Sequence, residues 1–151
     1  MQLFAERTEG PQGRPEDNSL ADALKQASAS RVAELVLKYG VGTRLGMEKE
    51  FTLLVPSDEA IGLQPLQVWL DLNNQASTAF ETWYHGHHAT KSVTKKDAAA
   101  AGTLEMDDGT ALPLAVDGDE FKIGGVRVLI SDLKWGNGII HILSAELAPE
   151  P

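Results

Sequence analysis

Four histidines carry most of the side-chain chemistry this chain has to offer, and three of them stand together at His85, His87 and His88. On a strand, alternating His85 and His87 would point to one face and form a two-imidazole metal clip. Two imidazoles are too few for a site, and no third ligand stands nearby in the sequence. Without a metal, His85 satisfies buried groups, and His87 and His88 stand at a strand start. Ser57, Asp58, His85 and His141 supply the residue types of a hydrolase triad, but triads are defined by geometry and no Gly-x-Ser-x-Gly elbow is present. The simpler assignment is structural: Ser57 or Asp58 caps a helix, and His85 and His141 hydrogen-bond buried groups. Asp107-Asp108-Gly109 and Asp117-Gly118-Asp119-Glu120 lack the spacing of a calcium loop and read as hairpin turns. Lys91, Lys95 and Lys96 read as a solvated helix start. Trp69, Trp83 and Trp135 read as core or half-buried. Neither Gly124-Gly125 nor the Gly136-x-Gly138 pair opens a helix, so no phosphate loop is indicated.

The elements that must hold these residues follow from periodicity. Residues 1–17, with Gly10, Pro11, Gly13 and Pro15, read as a mobile leader. Asn18-Ser19 opens a helix, with Asp22 three residues later as a shortened capping box, and Leu20, Leu24 and Ala27 inward. A second helix starts at Ser30, buries Val32, Leu35, Val36 and Tyr39, and stops at Gly40. Phe51–Val55 is a strand ended by Pro56. A short helix follows through Ala60 and Ile61, then one with Pro65 at its first position, then one from about Gln75 to Trp83. Lys95 to Ala101 suits a further helix. From Gly102 the period becomes two, with strands at Thr103–Met106, Ala111–Val116, Glu120–Ile123 and Val126–Ser131. Asn137-Gly138 marks a turn, since both residues tolerate positive φ. It opens the apolar run Ile139–Leu143, a strand buried on both faces with His141 inside it. The hypothesis is that His141 is neutral and bonded to Ser57, Asp58 or His85, tying the last strand to the first. Helices first and antiparallel strands later make an α+β domain over residues 18–149.

Composition excludes several function classes. The chain has 151 residues, enough for one domain with a sizeable core. Its net charge of -9 disfavours nucleic acid and anionic lipid as partners. There is no cysteine, which removes disulfides, thiolate catalysis and Cys-ligated zinc. No apolar run is long enough to span a membrane, and no signal peptide is visible at Met1–Glu6.

Three segments in order resemble the fasciclin-like domain family. Thr52-Leu53-Leu54-Val55-Pro56-Ser57-Asp58-Glu59-Ala60-Ile61 is similar to its first signature, Tyr84-His85 to its Tyr-His pair, and Asn137-Gly138-Ile139-Ile140-His141-Ile142 to its closing signature. Val55 replaces a common Ala, Ile61 a common Phe, and Gly86-His87-His88 replaces aliphatic residues. The resemblance implies a wedge of two roughly orthogonal β-sheets with helices at one end. It also implies a non-enzymatic adhesion or matrix-binding module that is extracellular, at the cell surface or periplasmic. Its partner would be a surface protein or polysaccharide, bound by a monomer, with no cofactor, metal or catalytic residue. Tyr84 and His85 become candidates for partner contact, and Ser57, Asp58, His85, Asn137 and His141 for a structural polar network. The rival reading is a small-ligand or metal-binding protein using His85–His88.

Overall fold

A computed structural model describes residues 15–147. Helices α1 (Pro15–Gln26), α2 (Ser30–Tyr39) and α3 (Val41–Gly46) come first. Strand β1 (Thr52–Pro56) follows, then α4 (Asp58–Gly62), α5 (Leu66–Asn73), α6 (Ala79–His87), β2 (His88–Ala89) and α7 (Lys95–Ala101). The chain finishes as β3 (Thr103–Glu105), β4 (Ala111–Asp117), β5 (Glu120–Ile123), β6 (Val126–Trp135) and β7 (Gly138–Leu143). The expected leader up to residue 14, and Pro149, lie outside the described residues.

The helices start where caps and dipoles favour them, with departures from the sequence reading at α1, α5 and α6. The first helix begins at Pro15, not at Asn18-Ser19, so residues 15–17 belong to the folded body. Proline suits a first turn because it has no N–H to leave unpaired, and Glu16 and Asp17 complement the helix dipole there. Asp17 is buried, and its carboxylate accepts from Thr43 N at 2.7 Å and Thr43 Oγ1 at 3.2 Å. It thereby caps α3, whose own N-cap, Gly40, has no side chain to do so. Gly40 also ends α2 with φ 66°, as expected of a left-handed stop. Pro65 caps α5 rather than opening it, which shifts that helix by one residue. The third departure is α6, which runs later than expected and carries His85 and His87 on a helix. Its buried residues Phe80, Tyr84 and His87 follow the helical i, i+4, i+7 spacing, so no strand alternation of histidines exists.

The strands form one hydrogen-bonded order, β2-β1-β7-β6-β5-β4-β3, rather than the two separate sheets that the wedge implied. The reason is β6. This strand of 10 residues pairs with β5 near Val126 and with β7 from Val128 to Trp135. Register shifts flank Ile130, and Asp132 sits at φ 63°, so β6 bends where two sheets would otherwise part.

The parallel pair β1–β7 lies centrally, in register Leu53↔Ile140, Leu54↔His141 and Val55↔Ile142. Every residue of both strands is buried, as the apolar runs indicated. Their alternation divides the interior. Leu53, Val55, Ile140 and Ile142 pack with the helices α1 to α6 in one core, whereas Leu54 and Leu143 pack with Leu104, Phe121 and Ile123 in a second.

The hairpin into β7 turns on Gly136 and Asn137, one residue earlier than the expected Asn137-Gly138 turn, because Trp135 pairs with Gly138. Gly136 takes φ 57°, the demand of the first turn position. Gly138 is required for a different reason. A Cβ there would lie 2.5 Å from Cγ and Cε2 of the buried Phe51 ring. Gly62, by contrast, has nothing within 4 Å of its would-be Cβ. Gly138→Ala is expected to cost about 1–3 kcal/mol through overpacking. Gly62→Ala should be neutral or stabilising by about 0.5–1 kcal/mol, because it removes only chain entropy from a helix. Denaturant midpoints of the two variants check this, and equal midpoints would contradict it.

Candidate functional site

The residue types of a hydrolase do not assemble. Ser57 is buried and caps its own helix, accepting from Ala60 N at 3.2 Å. Asp58 faces the other way, accepting from Ser30 N at 3.1 Å and Arg31 N at 2.7 Å. It caps α2 from a distance, since the N-cap residue Ala29 carries no acceptor. His141 is bonded to neither, and not to His85. Its Nδ1 accepts from Asp132 N at 3.2 Å and its Nε2 lies 2.8 Å from the Val93 carbonyl. The amide must donate and the carbonyl must accept, so the ring is the neutral Nε2–H tautomer. The expected neutral, buried imidazole is present, but its partners differ. His141 points into the second core, edge-on to Phe121 at 5.2 Å, so the bend of β6 and the segment after β2 reach it. Burial lowers its pKa from 6.5, outweighing the opposing pulls of the Val93 carbonyl and the Asp132 charge. Asn137 also stands apart from this group, donating from Nδ2 to the Glu48 carbonyl at 3.2 Å.

The other buried imidazoles are clasped by acids distant in sequence. His87 Nδ1 lies 2.6 Å from the Trp83 carbonyl and Nε2 lies 2.5 Å from Glu146 Oε1. Both nitrogens thus face oxygen atoms of the chain. The Trp83 indole stacks on it at 4.3 Å and donates to Glu146 Oε2 at 3.1 Å. Burial alone would raise the Glu146 pKa. The His87 bond and charge, with the indole N–H, hold it below the usual carboxylate value. His88 sits between Asp107 at Nδ1 and Glu48 at Nε2, the latter at 2.9 Å. Burial pushes the Glu48 carboxyl up, against the pull of His88.

Tyr84 and His85 separate into a buried and an exposed residue. The Tyr84 ring is only 4% exposed and stacks on His88 at 5.1 Å. Its hydroxyl is buried without a hydrogen-bond partner among the described residues, and burial, then Glu48, push its pKa up. Arg44 lies 5.2 Å over the ring and forks onto Glu81 at 3.1 and 2.6 Å. His85 keeps half its side chain in solvent, 3.6 Å from Asp107 and 3.9 Å from Glu81. Among the described residues no group of three His, Asp or Glu side chains is arranged to hold a metal. Asp107–Gly109 and Gly118–Asp119 occupy hairpin turns, the latter one residue later than expected because Asp117 still pairs with Glu120, and Thr94 caps α7 beside Lys95 and Lys96.

The surface holds one further feature. Leu63, Leu66 and Leu70 are 73%, 69% and 50% exposed, the last two one turn apart on α5. The sequence reading placed Trp69 in the core or half-buried and did not single out these leucines. The i, i+4 spacing of Leu66 and Leu70 on α5 is the signal that could have found them.

A family model for the fasciclin domain matches residues 27–149. The chain belongs to the fasciclin domain family. Transforming growth factor-beta-induced protein ig-h3 of Sus scrofa is 29% identical over 117 residues, covering 76% of this chain and 17% of that protein. Periostin of Homo sapiens is 25% identical over 107 residues, covering 70% of this chain and 13% of that protein. This fasciclin domain therefore spans less than a fifth of the length of these relatives. Among solved structures, a FAS1 domain pair from the insect cell adhesion molecule fasciclin I superposes with TM-score 0.59 at 19% identity. The match covers 81% of this chain and 46% of that one. Within this fasciclin domain Asp58 of the first signature and His141 of the last bond to segments distant in sequence.

His141→Ala is expected to cost about 2–4 kcal/mol, from lost packing and two unpaired backbone groups. His141→Gln should cost less. The folded pKa lies below the unfolded 6.5, so the unfolded state binds the proton first. The contribution is fully present above pH 6.5 and is lost as pH falls from there toward the lowered folded value. Denaturant midpoints against pH and ring NMR titration check this. An imidazole that titrates as in a free peptide would contradict it.

Proposed function

We propose that this chain is a non-enzymatic adhesion module of the fasciclin type. It acts outside the cytoplasm, as a monomer, on a matrix or cell-surface protein. Family membership supports the reading, as does likeness to a structure described as a cell adhesion molecule. Among the described residues, no helix is long and apolar enough to cross a membrane. The observation that carries the reading is the leucine ridge at Leu63, Leu66 and Leu70. Exposed leucines close in sequence on an acidic protein suit docking to another protein rather than to a polysaccharide. Of the Tyr-His pair, His85 offers a side chain to a partner, and Tyr84 supports it from below. The metal-binding alternative is disfavoured because His87 and His88 already have both nitrogens engaged within the chain.

Cell attachment to surfaces coated with the protein tests this. The parent should support attachment above its heat-denatured form. Leu66→Lys combined with Leu70→Lys should lower attachment by about tenfold, as for loss of an interface anchor, with the thermal midpoint retained. Tyr84→Phe should leave attachment unchanged and stability equal or higher, because it removes a buried hydroxyl that lacks a partner. Attachment by the double-lysine variant equal to the parent's would contradict the ridge. No attachment by the parent would contradict the adhesion reading.

A further inference from the structure

The strand order has two ends, β2 and β3, and they face each other. They are joined just past β3, where Asp107 N donates to the His88 carbonyl at 2.9 Å and Asp108 N to the His85 carbonyl at 3.2 Å. Beyond these bonds they part around a cleft of about 480 Å³. Thr90, Lys91 and Val93 form one wall, and Thr103, Leu104 and Glu105 the other.

The backbone of β3 shows which groups look into this cleft. Gly102 O accepts from Leu114 N at 2.9 Å, and Met106 N donates to Thr110 O at 2.8 Å. Bonded positions alternate along an antiparallel ladder, so Leu104 also bonds toward β4. Thr103 and Glu105 then direct their N–H and C=O groups away from β4, at the edge where the sheet has no further strand. The opposite wall cannot simply collapse onto them, because it is pinned from behind. Lys91 O accepts from Thr52 Oγ1 at 2.6 Å, and Val93 N donates back to Thr52 Oγ1 at 2.9 Å. Val93 O is held by His141 at 2.8 Å, and Ser92 N by Glu50 at 2.8 Å. The cleft is thus built into the fold rather than left by a loose loop.

We propose that this cleft binds an extended peptide segment of a partner protein, which adds to β3 as an eighth strand. An extended backbone presents donors and acceptors with the two-residue period of Thr103 and Glu105, which other ligand shapes do not. Val93 and Leu104 behind the edge suit an apolar side chain on the inward face of the segment. Lys91 and Glu105 at the two lips suit polar residues on its outward face. The edge contacts use neither the leucine ridge nor the His85 side chain, which lies 3.6 Å from Asp107 at the closed end of the cleft, so the site stands whether or not those contact a partner.

Short random peptides displayed on phage, selected on the parent protein, test the proposal. Selected peptides should shift NMR amide signals within residues 88–93 and 102–107. Methylating alternate backbone nitrogens of such a peptide should weaken binding by about tenfold or more, because main-chain bonds carry the affinity. Glu105→Pro removes only the outward N–H and leaves the bonds to β4, so it should weaken binding similarly. Glu105→Ala keeps that N–H and should bind within about threefold of the parent. Failure to enrich any peptide, or N-methylated peptides that bind as well as their parents, would overturn the proposal. The N-methylated peptides decide between these outcomes even if Glu105→Pro does not fold.

Discussion

The parallel pairing of β1 with β7 is the constraint on which the rest of this structure depends. A parallel pair needs a long crossover, and here more than half of the chain, from α4 to β6, is that connection. Both faces of the pair are covered, one by the helical core and the other by the strand-rich core. A pair so placed leaves no water for its polar groups, so each must find a partner within the fold. Thr52 and His141 sit in this wall, and both reach the same segment, Lys91–Val93. The wall therefore also fixes the loop that frames the cleft at the sheet edge.

Long-range carboxylates do the remaining positioning. Asp17 and Asp58 cap helices that follow or precede them by many residues, and so dock α1 on α3 and α4 on α2. Glu48, Asp107 and Glu146 hold His88 and His87 at the junction of α6 and β2. These interactions lock α6 against β1 and commit the two histidines to structure. What stays outward includes the half-exposed His85, Leu63 just after α4, and Leu66 and Leu70 of α5. The fold thus separates the residues that hold it from those free to meet a partner.

The apolar rhythm carried the architecture in legible form. The buried runs at β1 and β7, the stop of α2 at Gly40 and the helix of alanines at α7 all follow from local rules that tertiary context does not override. The start of α1 was hidden because Pro15 looked like leader composition, and only Thr43 reveals that Asp17 is a cap. The single sheet was hidden because the bend of β6 rests on Asp132, a residue with no turn signature. The site was less legible than the fold. That His141 is buried and neutral follows from its apolar neighbours. Its partners do not, because Val93 and Asp132 contribute backbone groups that no side chain advertises. The acids around His87 and His88 lie up to 59 residues away, beyond any local pattern.

Native-state hydrogen exchange tests the central role of the β1–β7 wall most directly. Amides of Leu53 to Val55 and of Ile140 to Leu143 should be the slowest in the chain and should open only with global unfolding. Amides at the sheet ends β2 and β3 should open locally and faster. If instead the slowest amides belonged to the β4–β5 hairpin, while those of β1 and β7 exchanged through local opening, the wall would not be what holds the fold.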